Sequence, residues 1–372
     1  MPKNSLNISA WSIAAPIVAW LVLGLSQLHL DLDFIYWGAI ESLLMAASLI
    51  GAVLAGVHHA ETIAHKLGEP FGTLVLATAI TIIEVGLILS LMLTGGPETA
   101  ALARDTVFAA VMIILTGIVG LCLLIGGVLY KEQVFKLHGA NVSLSTLAAI
   151  VVLTLILPNY TLTTAGPVYS TSQLAFIALV SLTLYGTFVF VQVVRHRNYF
   201  LDAKDNGNGA EQPNLNRLPS SNKQIYFSTA LLLISLSAVV ILAKSLAPTI
   251  ESFVVLIHAP HQLVGVIIAS VVLLPEGLAA VRAARKNMFQ TSLNLALGSA
   301  LATIGLTIPA VAIFSLLTGW TLTLGIDMKS TVLLLLALFV NAISLATGRT
   351  NVLQGVILLV IFAVYLFTTV VP

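Results

Sequence analysis

Long apolar runs separated by short polar intervals organise this chain from end to end. Each run is close to the ~20 residues needed to cross a bilayer as a helix. Eleven can be marked, at roughly 11–28, 34–57, 70–94, 106–129, 142–162, 172–194, 225–247, 260–282, 292–317, 330–347 and 351–371. The longest polar interval, RHRNYFLDAKDNGNGAEQPNLNRLPSSNKQ at 195–224, is rich in Asn, Gly, Pro and charge. Such composition makes a flexible linker without a core of its own. The pattern predicts an all-α polytopic membrane protein and no soluble second domain.

Composition agrees with the pattern. Of 372 residues, 58% are hydrophobic and 8% charged, with mean hydropathy +1.04, against ~25% charged residues in a soluble domain. A net charge of +1 says nothing about nucleic acid; no basic face or RNA-type motif appears, so no nucleic-acid partner is expected. The single cysteine, Cys122, excludes an intramolecular disulfide. The N-terminus, MPKNSLNISAWSIAAPIVAW, has no clear small-x-small cleavage site and reads as a retained first helix.

Charge placement sets orientation. With the N-terminus inside, all 16 Lys and Arg residues except Arg104, Lys244 and Lys329 fall on the inner segments, which obeys the positive-inside rule. The N-terminus and linker are then cytoplasmic and the C-terminus outside, in a bacterial inner membrane. Beyond the first span (1–33), five spans precede the linker (34–194) and five follow it (225–372). Five is odd, so the halves enter the membrane in opposite senses. Inverted repeats of this kind are common in secondary transporters, which bind substrate at the midplane between repeats.

Two glutamates break the apolar pattern at matching places. Glu84 lies in the second span of the first repeat and Glu276 in the second span of the second. An ionisable group at bilayer depth costs at least ~2.5–3.5 kcal/mol and is a functional hypothesis by default. Glu84 is ~21 Å along its helix, near the bilayer centre, with Thr81 and Thr78 at three-residue steps before it. Glu276 follows Pro275, which frees a carbonyl one turn back near Val271 and Val272. The next span carries Asn294, Ser299, Thr303 and Thr307. Carboxylates, hydroxyls and freed carbonyls make a hard-oxygen site suited to Ca²⁺ or Na⁺. Two ionised carboxylates in low dielectric repel each other. Such a pair is tolerable with two protons or one divalent cation and costly when empty, which is a physical basis for exchange. A structural reading stands beside this one: hydroxyls often bond to their own helix carbonyls, and Gly117, Gly120, Gly126 and Gly127 fit close helix packing.

Three segments carry a family resemblance: AETIAHKLGEPFGTLVLATAITIIE (60–84), LLPEGLAAVRAARKNMFQTSLNLALGSALATIGLTIP (273–309) and TGRTNVLQG (347–355). They resemble the cation/calcium exchanger superfamily, in its calcium/proton antiporter branch, and most of all the ChaA-type sodium–potassium–calcium/proton antiporters. The resemblance implies that Glu84 and Glu276 are the essential glutamates of two alpha repeats, with the Gly-Ser element of the second at Gly298–Ser299. It also implies that metal ions are transported substrate and that no cofactor is needed. The chain departs from the family pattern around both acids. Ile80–Thr81 and Val272–Leu273 stand where Gly-Asn is usual, and AAVMII (109–114) replaces a Gly-Ser…Ser-Asn element. Ala300 and Ala302 replace the following Ser and the later Gln, and Thr347 and Gln354 replace Asp and Glu in the closing stretch. Fewer oxygen ligands remain than in calcium-selective members, which opens Na⁺ and K⁺ as substrates.

Glu61, His65 and Glu69, at four-residue steps, would share a helix face on the cytoplasmic approach to the third span. They fit either a cation funnel with a pH-sensing His or a solvated interfacial helix; His58 and His59 give a weaker form of the same signal. The leading expectation is a secondary antiporter exporting Ca²⁺, Na⁺ or K⁺ against protons. A Na⁺(K⁺)/H⁺ antiporter with little Ca²⁺ transport and a passive cation channel are alternatives. An intramembrane enzyme is disfavoured, because every Asp lies at a span end or in a loop and no His-Glu-x-x-His motif occurs.

Overall fold

The computed structural model describes residues 9–27, 37–67, 71–200, 222–256, 260 and 262–371. The described residues form eleven helices: α1 (Ala10–Gln27), α2 (Trp37–Leu67), α3 (Phe71–Gly95), α4 (Leu102–Tyr130), α5 (Leu137–Tyr160), α6 (Thr171–Arg195), α7 (Asn222–Leu256), α8 (Gln262–Arg285), α9 (Phe289–Thr318), α10 (Met328–Leu345) and α11 (Val352–Val370). Among the described residues nine helices are long and apolar enough to cross a membrane, and α1 and α3 add shorter apolar stretches, Ala10–Ser26 and Thr81–Leu93. The fold is that of an all-α, multi-pass membrane protein.

Each apolar run became one helix, but the ends moved. α2 continues ten residues past its apolar run, through His58, His59 and Glu61, to Leu67, and α7 runs through Pro248 to Leu256. Backbone hydrogen bonds propagate wherever side chains permit; an apolar run records burial in lipid and not the end of a helix. Within α4, α5 and α6 the ladder widens to five-residue turns at Ile113–Ile118, Val152–Ile156 and Val191–Arg195. Most of the 195–224 linker lies outside the described residues.

Two compact units divide the chain, and each draws on both halves of the sequence. The first comprises Met1–Thr94 and Ala210–Phe253. Here α1 lies along α2, joined by a hydrogen bond between His59 Nε2 and the Ser12 carbonyl (3.0 Å). Trp20 Nε1 donates to the Ile234 carbonyl of α7. Gly56 and Gly86 let α2 and α3 approach α7, where an added Cβ would lie 3.4 Å from Ser235 Cβ and 3.1 Å from Val240 Cγ2.

The second unit comprises Gly95–Gly209 and Val254–Pro372. Its centre is α4, buried along most of its length between α8, α9 and α11. The approach is closest at glycines, where backbones meet without intervening side chains. A Cβ on Gly265 of α8 would stand 2.8 Å from the Asp105 carbonyl carbon, and one on Gly355 of α11 would stand 2.8 Å from the Gly120 oxygen. Loops close both ends of this unit. Gln133 donates through Nε2 to the Ala284 carbonyl, and Thr350 N–H donates to the Gln133 carbonyl. Arg104 pairs with Asp105 at 2.7 Å and donates to the Gly325 carbonyl.

Candidate cation site

Glu84 and Glu276 are both deeply buried, 3% and 8% exposed. Each sits on an otherwise apolar helix whose neighbours on the sequence divide between core and surface. On α3, Thr81, Ile83, Leu87 and Ile88 are buried while Ile82 is exposed. On α8, Val272, Leu273 and Ala280 are buried while Leu274 and Leu278 are exposed. Both carboxylates therefore point away from the lipid-facing stripe. Glu84 belongs to the first unit and Glu276 to the second.

Local construction differs between the two. Pro275 lies inside α8, so the Val271 carbonyl loses its ladder donor immediately before Glu276. Gly277 follows, and an added Cβ there would lie 3.3 Å from Ile118 Cδ1. The wide turn of α4 thus packs against the Glu276–Gly277 turn of α8. On α9, packed beside α8 in the same unit, Thr303 and Thr307 are buried and Ser299 is partly exposed. Thr307 Oγ1 has no hydrogen-bond partner among the described residues, and nothing stands within 4 Å of a Cβ on Gly298. Open space therefore adjoins the Gly298–Ser299 step.

Asn294 is held by hydrogen bonds elsewhere in the fold. Its amide donates to the Phe200 carbonyl and its Oδ1 accepts from Gln290 Nε2 at 2.9 Å, which ties α9 to the end of the α6 segment. The reason is angular. Five residues separate Asn294 from Ser299, which at 3.6 per turn places it about 140° around the helix, whereas Thr303 drifts by only about 40°. Ser299, Thr303 and Thr307 lie on α9, which packs beside the helix that carries Glu276, and Asn294 is engaged by Phe200 and Gln290. Thr81 is buried one turn before Glu84, and the Thr78 side chain lies outside the described residues.

Of the cytosolic-approach residues, Glu61 is partly exposed on α2. His65 is on the same helix but its side chain lies outside the described residues, and Glu69 lies wholly outside them. The closing TGRTNVLQG stretch is a helix start: Asn351 and Gln354 form a capping box at the head of α11, and Gln354 Nε2 also donates to the Ser344 carbonyl. Of two further buried polar residues, His59 and Asn341, only Asn341 had no place in the sequence reading. His59 is completely buried, with its ring against His58, itself packed on Trp11. Asn341 is completely buried in α10 and donates to the Leu115 and Ala337 carbonyls. A lone Asn inside LALFVNAIS was the signal available. Among the described residues no three His, Cys, Asp or Glu side chains cluster.

Among the described residues, eleven helices, nine of them long and apolar enough to cross a membrane, define a multi-pass membrane protein. The chain belongs to the sodium/calcium exchanger protein family, whose sequence model matches residues 37–194 and 227–371. It is therefore an ion exchanger and not an enzyme. It is 44% identical over 370 residues to y4hA of Sinorhizobium fredii (strain NBRC 101917 / NGR234), a protein with a provisional name as an ionic transporter, covering 99% of this chain and 98% of that one. It is 33% identical over 365 residues to the sodium-potassium/proton antiporter ChaA of Escherichia coli (strain K12), covering 96% and 95%. The crystal structure of the Ca²⁺/H⁺ antiporter protein YfkE shares the fold, with TM-score 0.72 at 17% identity over 98% of this chain and all of that one.

Proposed function

We propose that this protein is a secondary active cation/proton antiporter that exports Ca²⁺, Na⁺ or K⁺ in exchange for H⁺ by alternating access. Glu84 and Glu276 would be the residues that bind cation and proton. One observation carries the reading: among the described residues each compact unit buries one glutamate, and the sequence reading puts the two at corresponding positions of its repeats. Charge balance then supplies the coupling. Buried carboxylates must be neutralised by protons or by a cation, so loading one species expels the other. Ser299, Thr303 and Thr307, with the Val271 carbonyl released by Pro275, would supply further oxygens beside Glu276, and Thr81 would do so beside Glu84. The protein would lie in the bacterial inner membrane with the N-terminus and the 195–224 linker in the cytoplasm and the C-terminus outside, as the Lys and Arg distribution favours.

The test is proton release from acid-loaded proteoliposomes on addition of Ca²⁺, Na⁺ or K⁺. Exchange by the wild type, abolished in Glu84→Gln and in Glu276→Gln, is the expected result. Wild-type rates in both variants would sink the mechanism. A narrower reading, Na⁺(K⁺)/H⁺ antiport with little Ca²⁺ transport, is favoured by Ala300 and Ala302, where the family usually has oxygen-bearing side chains, and by the name of the E. coli relative. Proton release driven by Na⁺ and K⁺ but not by Ca²⁺ would select it. Cation flux independent of the pH gradient would select a passive channel.

A further inference from the structure

The wide turn of α4 is the least ordinary piece of backbone near Glu276. It begins where the family's Gly-Ser…Ser-Asn element gives way to AAVMII (109–114). A helix returning from five-residue to four-residue bonding must skip one carbonyl. The last wide bond runs from Val119 N–H to the Ile114 carbonyl, so the skipped carbonyl is that of Leu115. Asn341 Nδ2 donates to that oxygen at 3.1 Å and spends its other hydrogen on the Ala337 carbonyl at 2.8 Å.

Packing on either side shows why the turn is wide. Before the turn, α4 presents the Asp105–Thr106 backbone to Gly265 of α8. After it, α4 presents Gly120 and Leu124 to Gly355 of α11. An inserted residue rotates one half of a helix by about 100° against the other, and so lets a single helix meet two close-packed partners in the correct register. At the junction, Ile118 lies against Gly277, next to Glu276. Asn341 is retained at a cost, since its Oδ1 is buried with no donor among the described residues. An apolar residue there would avoid that cost but would leave the Leu115 carbonyl uncapped within the membrane.

We infer that Asn341 is a positioning residue for exchange. By capping the skipped Leu115 carbonyl it holds α4 in the wide turn on which the Glu276–Gly277 turn of α8 rests, and it thereby sets the cation affinity of the Glu276 half of the site. The inference rests on the antiporter reading above. Its test uses the full-length protein in proteoliposomes, with cation-driven proton release measured against Na⁺, K⁺ and Ca²⁺ concentration at several pH values and normalised to folded, monodisperse protein. Asn341→Leu removes both donors at similar volume and is expected to raise the apparent KM about tenfold, the size of loss seen when a group orienting a metal ligand is removed, and to displace the pH profile. Asn341→Ser keeps a short donor and is expected to recover part of the affinity. Unchanged KM and pH profile in both variants, with Glu276→Gln inactive, would overturn the inference and leave the antiporter reading intact. A wild type without exchange, or an active Glu276→Gln, would overturn both.

Discussion

The helices that carry the two glutamates, read from the sequence as equivalent, are built differently. α3 has no proline, and among the described residues its glycine contact, from Gly86, meets the tip of the Val240 side chain. α8 carries Pro275 beside its glutamate, meets the α4 backbone itself at Gly265, and rests on the α4 wide turn at Gly277. A side-chain tip can yield by a rotamer change, while backbone against backbone cannot. If the two acids share their chemistry, as proposed above, the difference lies in their mounts. On these contacts Glu276 is expected to sit on the stiffer mount and Glu84 on one that can adjust.

The largest effects test the shared chemistry and then the difference. Glu84→Gln and Glu276→Gln are both expected to lower cation-driven proton release by at least about 100-fold, because an amide neither binds a cation as a carboxylate does nor carries the proton. The aspartates separate the helices. Each withdraws the carboxylate by about 1.5 Å, and only an adjustable mount recovers that distance. Glu84→Asp is expected to retain clearly more exchange than Glu276→Asp in the same proteoliposome assay. Equal residual rates would break the comparison.

The next test addresses packing alone. Gly265→Ala forces a Cβ to within 2.8 Å of α4 backbone and is expected to cost about 2–3 kcal/mol, at the upper end of overpacking effects. Gly86→Ala meets Val240 Cγ2 at 3.1 Å and is expected to cost less than about 1 kcal/mol. Thermal unfolding of the purified proteins in detergent gives the order directly. A Gly86→Ala protein as unstable as Gly265→Ala would show that α3 is mounted as rigidly as α8.

What could be read from the sequence follows the same division between burial and direction. All eleven helices were legible, because a run of apolar residues is a direct record of transfer into lipid. Glu84 and Glu276 were legible because a carboxylate within such a run is costly wherever it points. The wide turns in α4, α5 and α6 were not, since an inserted residue changes no composition and is dictated by the neighbours on either side. Asn341 escaped for that reason: its purpose is the Leu115 carbonyl, 226 positions away. The hydrogen bonds of Asn294 to Phe200 and Gln290 were not legible either, because α9 is apolar almost all round and leaves no polar face against which to orient it. A five-residue step also turns Asn294 about 140° from Ser299.

Pro275 offers a smaller and more selective change. Pro275→Ala restores a donor to the Val271 carbonyl and makes α8 resemble α3. Removing a proline from a helix interior relieves a penalty of up to about 3 kcal/mol, so the variant is expected to unfold at a higher temperature than wild type. Its cation KM is expected to rise a few-fold, because a carbonyl that could face a cation is returned to the helix ladder. Lower thermal stability, or a KM equal to that of wild type, would show that the break has no part in the difference between the two glutamate helices.

The smallest expected effect separates site from scaffold within α9. Ser299 adjoins open space at Gly298, while Asn294 is engaged by Gln290 and the Phe200 carbonyl. Ser299→Ala removes one oxygen from the side of the helix that continues to Thr303, and is expected to raise the cation KM two- to fivefold without changing the unfolding temperature. Asn294→Ala strands the Phe200 carbonyl and the Gln290 amide, and is expected to cost about 1–2 kcal/mol of stability while leaving KM within twofold. Both variants are read in one proteoliposome preparation alongside thermal unfolding, so each serves as the control for the other. The opposite pattern, affinity lost at Asn294 and stability lost at Ser299, would return Asn294 to the cation site and remove Ser299 from it. Glu276 would then face a different side of α9 from the one argued for above.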